Sequence, residues 1–337
     1  MRALAALLLL APAGCAKKSA ETATPAGETF PVGLVYDIGG RGDKSFNDAA
    51  YAGLDSAQRT LGITFTTLET NEGSDREAQL RQLAAGDNKL VFGVGFLFTD
   101  DIKNLAHEFP DQKFACVDYT WNPGDSVPAN LVGLKFREEE GSFLVGALAA
   151  LTSKTGKVGF VGGMDIPLIR KFHAGFEAGA RAVNPKVVVI AKYAGNTGAA
   201  FKDPTKGKEL ALSEYHDGVD VIFHASGSTG LGVFEAAREL KKLAIGVDAD
   251  QYSEAPGFIL TSMVKRVDHA VYDTIRDLKN GQWKSGVREM GLAEHGVSWV
   301  YDENNKSLIP DHVKATVDSL EAEIVAGRIR VPRETAR

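Results

Sequence analysis

The residues best suited to chemistry lie in one segment, Asp37-Ile38-Gly39-Gly40-Arg41-Gly42-Asp43-Lys44-Ser45-Phe46-Asn47. It brings carboxylates, cations, an aromatic ring and an amide together among glycines. A glycine-rich loop opening a helix suggests a phosphate cradle, but the details oppose it. A P-loop joins glycine directly to Lys-Ser, and here Asp43 stands between Gly42 and Lys44. Asp37 and Asp43 would also repel phosphate. Phe46 offers a flat face, and Asn47 offers an amide that both donates and accepts; such a pair suits a planar heterocycle. The same two residues can equally be a core aromatic and a helix-opening polar residue. Asp118 and Asp248 add further carboxylates. Each follows an apolar run that ends Val-Asp, in Ala115-Cys116-Val117-Asp118 and Ile245-Gly246-Val247-Asp248.

Alternating strands and helices must position these groups. Pro31–Tyr36 is an apolar run followed by glycines, and reads as a buried strand. Phe46, Ala50, Leu54, Ala57 and Leu61 recur at helix spacing over Ser45–Leu61. Ser45 is the expected helix cap, with Asp48 as its capping-box partner. Further strands are expected near Ile63–Leu68, Lys89–Val94 and Lys113–Val117, with helices between them. A second series starts at Lys157. Its strands fall near Val158–Val161, Val187–Ala191, Val219–His224 and Leu243–Val247, and its helices near Ile169–Val183, Gly207–Tyr215 and Leu231–Lys241. Such alternation implies two mostly parallel sheets, each covered by helices on both faces. Ligands of open α/β sheets bind beyond the carboxyl ends of the strands. Two facing sheets would thus bring Asp37, Asp118 and Asp248 to one cleft. Strand-ending aspartates often only cap turns, but three at equivalent strand ends favour a site.

The 337 residues suit two domains. A net charge of −6 argues against nucleic acid, whose phosphates require clustered Lys and Arg. Met1-Arg2 and the apolar run Ala3–Ala11 are too short for a membrane span and read as a signal peptide. Pro12-Ala13-Gly14-Cys15 resembles a bacterial lipoprotein signal, in which Cys15 becomes the acylated N-terminus. Pro12 departs from the usual Leu. Residues 16–28 are rich in Ala, Thr, Ser and Lys and read as a tether. With Cys15 lipidated, Cys116 has no partner and is expected as a buried thiol.

An enzyme is the first rival reading. The seven histidines are scattered without a close metal-ligand pair, and no Gly-x-Ser-x-Gly elbow occurs. The aspartates leave cleavage of a nucleoside open. A transcription regulator would need a helix-turn-helix where the signal and tether stand. No metal and no cofactor are expected.

The loop pattern Asp-x-Gly-Gly…Asp-Lys-Ser-Phe-Asn resembles the signature of the basic membrane protein family of lipoproteins. These are ABC-transporter substrate-binding proteins and include purine nucleoside receptors. Gly93-Val94-Gly95-Phe96, Glu140-Gly141-Ser142-Phe143, Phe172-His173-Ala174-Gly175-Phe176, Phe201-Lys202-Asp203, Gly227-Ser228-Thr229-Gly230 and Ser262-Met263-Val264-Lys265 extend the likeness in order along the chain. The resemblance implies an α/β type I periplasmic-binding-protein fold, with two Rossmann-like lobes joined by a hinge. After the signal peptide (1–14) and tether (15–29), it implies lobe 1 over 30–135, completed by a return segment near 266–320. Lobe 2 would span 136–265, and a tail 321–337. It implies purine stacking by Phe46 with help from Asn47, and base contacts from Asp37 and Asp118. It gives the ribose hydroxyls to Asp248 and Lys265 acting as a pair, and close backbone approach to Gly227 and Ser228. Phe172 would be a second aromatic, and Ser228 departs from the glycine commoner there. The implied partners are a nucleoside, the permease subunits of an importer and, through the lipid, the membrane. The chain would be a monomer facing the periplasm or the cell exterior. Sugar receptors share this chemistry and are the alternative within the fold.

Overall fold

The computed structural model of the protein describes residues 29–70 and 75–335. Cys15, the signal segment 1–14 and all but the last residue of the tether 15–29 lie outside the described residues.

Apolar runs become strands wherever helices cover both faces. β1 (Pro31–Tyr36) is buried from its second residue onward. α1 (Phe46–Leu61) follows, burying Ala50, Leu54 and Ala57 at helix spacing. Next come β2 (Thr64–Glu69), α2 (Arg76–Ala84) and β3 (Leu90–Val94). α3 (Thr99–Glu108), β4 (Lys113–Val117) and β5 (Leu131–Phe136) complete this run. The chain then enters α4 (Glu138–Thr152), and a second series begins. It runs β6 (Lys157–Met164), α5 (Pro167–Val183), β7 (Val188–Gly195), α6 (Pro204–His216), β8 (Val221–Ala225), α7 (Gly230–Leu240), β9 (Leu243–Asp248) and β10 (Ile259–Lys265). The C-terminal part holds α8 (Val267–Lys279), β11 (Gly286–Met290), β12 (Val297–Trp299) and α9 (Asp311–Val325).

The strands form two sheets of the same design. Lobe 1 has the order β11-β5-β4-β3-β1-β2, and lobe 2 the order β12-β10-β9-β8-β6-β7. All pairs are parallel except β10 with β12. In each sheet the order reverses beside the first strand, so a crevice opens at the carboxyl ends of β1 and β3 and of β6 and β8.

The chain crosses between lobes after β5, after β10 and after β11. The Arg137 N–H donates to Met290 O at 2.9 Å and the Arg266 N–H to Gly296 O at 2.8 Å, tying the crossings together. The expected return segment 266–320 needs correcting. α8 packs on α1 and β11 pairs with β5, but β12 pairs with β10 and α9 packs on α4. The return to lobe 1 thus ends at Met290. α9 buries Val313, Val317 and Ile324, so the expected tail 321–337 begins inside a packed helix of lobe 2.

Candidate functional site

The loop after β1 is built to hold its own shape. Asp43 accepts backbone N–H bonds from Ser45, Asn47 and Asp48 at 3.0, 2.8 and 3.1 Å, and so caps α1. The expected cap, Ser45, makes no side-chain bond to the helix. Asp48 does not reach back to Ser45 either. Its carboxylate takes the Arg41 guanidinium at 2.8 Å and the Gly42 and Lys44 N–H groups at 3.0 and 3.1 Å. Asp43 is two residues ahead of Ser45 and its longer side chain reaches three donors, which frees the Ser45 hydroxyl. That hydroxyl donates across the cleft to Asp248 Oδ2.

Asp37 ends β1. Its N–H donates to Asn47 Oδ1 at 3.0 Å, which fixes the amide with its NH₂ toward the cleft side of the loop. Gly95 makes room for the Asp37 carboxyl. Its φ is +112°, and a Cβ there would stand 2.2 Å from Asp37 Oδ2. Burial pushes Asp37 up to about 7, against the Ile38 N–H bond that favours the ionised form. At neutral pH this carboxyl can therefore accept or donate a hydrogen bond.

Asp118 and Asp248 follow β4 and close β9. Both have left-handed backbones, with φ of +59° and +66°, and both are buried. Such conformations are uncommon for non-glycine residues and cluster where a side chain must be aimed. Burial pushes Asp248 up to about 6, with Lys265 and the Ser45 hydroxyl pulling the other way. Burial likewise raises Asp118, opposed chiefly by Lys265.

Lys265, at the end of β10, is buried beneath three phenyl rings. Its ammonium lies 5.0 Å from the ring centres of Phe46 and Phe136 and 5.7 Å from Phe172. It stands 2.7 Å from Asp118 Oδ2 and 3.3 Å from Glu138 Oε1. Burial acts to lower the Lys265 pKa, but Asp118, Glu138 and Asp248 together outweigh it and hold the lysine charged. Glu138 also takes the Lys171 ammonium, which reaches Phe136 O at 2.9 Å beside the first hinge crossing. The expected Asp248–Lys265 pair is corrected accordingly. Lys265 is bonded to Asp118 and Glu138, and Asp248 to Ser45.

These groups wall a tight cavity of about 60 Å³ between the lobes, smaller than typical small-molecule sites. Asp37, Phe46, Asn47, Asp118, Phe172, Gly227, Asp248 and Lys265 all line it. Ser228 does not; its hydroxyl turns away to donate to Phe201 O at 3.1 Å. Its neighbour Ser226 lines the cavity, together with Ile38, Phe96, Leu168, Ile169 and Phe201. Phe96 and Phe201 lie in the Gly-x-Gly-Phe and Phe-Lys-Asp stretches, so aromatics beside glycines or at helix starts were the available signal. No signal marked Glu138, Lys171 or the reach of Ser45 across the cleft, because these roles depend on partners 33 or more residues away.

Chemically, the cavity offers aromatic faces, carboxylates at both ends, one ammonium and an amide. Ser226 on the wall lies 3.3 Å from Nδ1 of His224, a buried histidine behind the wall whose Nε2 meets Gln251 Oε1 at 3.0 Å and whose pKa burial pulls down to about 4.

Residues 30–335 match the family described as "ABC transporter substrate-binding protein PnrA-like". An uncharacterized lipoprotein of Pyrococcus abyssi is 37% identical, over 87% of this chain and 74% of its own. Basic membrane protein A of Borreliella afzelii is 35% identical, over 89% of this chain and 91% of its own. Among solved structures, an ABC-transporter solute-binding protein of Aeropyrum pernix superposes with a TM-score of 0.82 at 30% identity, covering 90% of this chain and 94% of that one. A family match spanning nearly the whole described chain, joined to two lobes that share a walled cavity, places this protein in the PnrA-like family of ABC-transporter substrate-binding proteins.

Proposed function

We propose that the protein captures a nucleoside, a purine nucleoside best of all, between its lobes and hands it to the permease of an ABC importer. The observation that carries this reading is the composition of the cavity. Phenyl rings from both lobes, Phe46 and Phe172, share it with Asp37 and Asn47 on one side and Asp248 on the other. A ring pair holds a heterocycle by its faces, worth roughly 1–3 kcal/mol per stacked base. Asp37, near its titration midpoint at neutral pH, suits a base edge that carries both donors and acceptors. A carboxylate such as Asp248 accepts two hydrogen bonds from a vicinal diol, and charge-assisted bonds of this kind are strong. Four carboxylates against one ammonium on the wall oppose phosphorylated ligands.

In this reading the protein is a receptor and not an enzyme. Cys15 carries a lipid that holds it to the membrane, facing the periplasm or the cell exterior, and it works as a monomer. The naming of a relative as a lipoprotein agrees with the anchor. Calorimetric titration with guanosine, adenosine, cytidine and free ribose tests the ligand. The purine nucleosides are expected to bind tightest and ribose at least about a hundredfold more weakly, since it forgoes the stacking and base-edge bonds. Ribose binding as tightly as any nucleoside would make this a sugar receptor. Release of free base during the titration would make it an enzyme.

A further inference from the structure

The inner cavity differs at its two ends. Beside Asp248 the lobes are stitched together by the Ser45 hydroxyl and by Gln251 Nε2, which donates to Lys44 O at 2.8 Å. At the other end Phe96, Asp118 and Leu168 belong to two spaces at once. They line the inner cavity and also a larger chamber toward the hinge, about 680 Å³ and open to solvent.

The wall of this side chamber has its own chemistry. Trp121 presents an indole, and Asn122 and Thr120 present polar groups. Lys135 donates to Trp121 O at 3.2 Å and lies 5.9 Å from the indole centre. Lys135 forms no ion pair among the described residues. The other cations there are engaged: Arg170 by Asp165 at 2.6 Å, Lys171 by Glu138, and Arg333 by Glu139 and Glu289 at 2.7 and 3.0 Å. Such a wall suits a flat or hydrogen-bond-accepting group.

We propose that the receptor accepts nucleosides bearing a large substituent on the base, with the substituent lying in the side chamber. The inference rests on the nucleoside reading, which puts the base at Asp37 and Asp118 and the ribose at the stitched end beside Asp248. Extensions of the base then pass between Phe96 and Leu168, the side chains shared by the two spaces. Extensions of the ribose run into the closed side.

The test is calorimetric titration with adenosine, guanosine, N6-benzyladenosine, N2-benzylguanosine and 5′-O-benzyladenosine. At least one base-benzylated nucleoside should bind within about tenfold of its parent, while the 5′-O-benzyl compound falls by more than about a hundredfold. Thr120→Trp narrows the chamber from a residue outside the inner cavity. It should weaken the base-benzylated ligand by about tenfold or more and leave the parent within about twofold, so the parent also reports correct folding. Parents that bind while both base-benzylated compounds are lost would overturn this inference alone. Binding of no parent nucleoside would overturn the nucleoside reading, and this inference with it.

Discussion

β4 of lobe 1 leads into Asp118 and β9 of lobe 2 ends in Asp248, both buried and both left-handed, yet one meets an ammonium and the other a hydroxyl. The likeness goes deeper. Gly33 on β1 and Gly159 on β6 sit at the same register, beside Val91 of β3 and Ile222 of β8. A Cβ on Gly33 would meet Leu83 of α2 at 3.0 Å, and one on Gly159 would meet Glu214 of α6 at 2.2 Å. Gly95 after β3 and Gly227 after β8 both carry positive φ at the crevice. What differs is the first crevice loop. Lobe 1 presents Asp37, Phe46 and Asn47 there, whereas lobe 2 presents Leu168, Ile169 and Phe172. One scaffold used twice thus gives a polar jaw and a more apolar jaw, and the aspartates at the shared position take unlike partners.

The largest expected effect tests that last contrast. Asp118 neutralises Lys265, while Glu138, the other partner of Lys265, is shared with Lys171. Asp118→Ala therefore leaves a buried ammonium undercompensated, and breaking a buried pair typically costs about 3–5 kcal/mol. Asp248→Ala removes one hydrogen bond to a charged group, about 1.5–3 kcal/mol. Melting without ligand should rank Asp118→Ala as the more damaging. If Asp248→Ala is the worse of the two, the two aspartates have exchanged roles.

The second effect lies far from the cleft. Glu214 is fully buried, neither carboxyl oxygen has a hydrogen-bond partner, and burial pushes it up to about 9. Its folded value exceeds its unfolded one, so the folded state holds the proton more tightly. Stability from this group is complete below about 4.5 and is lost as pH rises toward about 9. The loss cannot exceed about 1.4 kcal/mol per pH unit. Glu214→Leu copies the Leu83 packing of lobe 1. It should raise the melting temperature at pH 7, by about 1–3 kcal/mol in stability, and flatten the fall between pH 5 and 9. An unchanged pH slope would mean that Glu214 is ionised and paired in solution.

Much of this architecture could be read from residue order, and the exceptions share a cause. β1, β3, β4 and β9 are continuous apolar runs because helices cover both faces, and such runs stand out. Asp37, Asp118 and Asp248 were legible because they end those runs. α4 was not, because every residue from Gly141 to Ala150 is buried, so no polar stripe marks a helix period. β12 and α9 were assigned to the wrong lobe, since local pattern does not say which sheet edge a short strand joins. Ser45 was read as a cap because its type and place fit one. The choice between Ser45 and Asp43 was settled by Asp248, 203 residues away, which draws off the Ser45 hydroxyl. Position in a motif indicates who is present at a site, and long-range partners decide what each one does.

The smallest expected effect compares the two crevice glycines. Gly227 has φ +56°, within the left-handed region that other residues enter at about 1–2 kcal/mol, and a Cβ there would meet Phe201 O at 2.9 Å. Gly95 has φ +112°, outside that region, and its Cβ would overlap the Asp37 carboxyl at 2.2 Å. Both alanine variants should lower the melting temperature by a similar step, since each forces a strained backbone. Their effects on ligand should diverge. Gly95→Ala displaces Asp37, so it should reduce affinity for nucleosides according to the base and leave the preference for ribose over 2′-deoxyribose intact. Gly227→Ala pushes the lobe 2 backbone away from the sugar end, so it should narrow the ribose preference while keeping the order of bases. Titration of both variants with guanosine, adenosine and 2′-deoxyadenosine separates the outcomes. If the two variants lose base and ribose discrimination alike, the jaws do not divide the ligand between them, and the polar difference between the lobes serves closure instead of recognition.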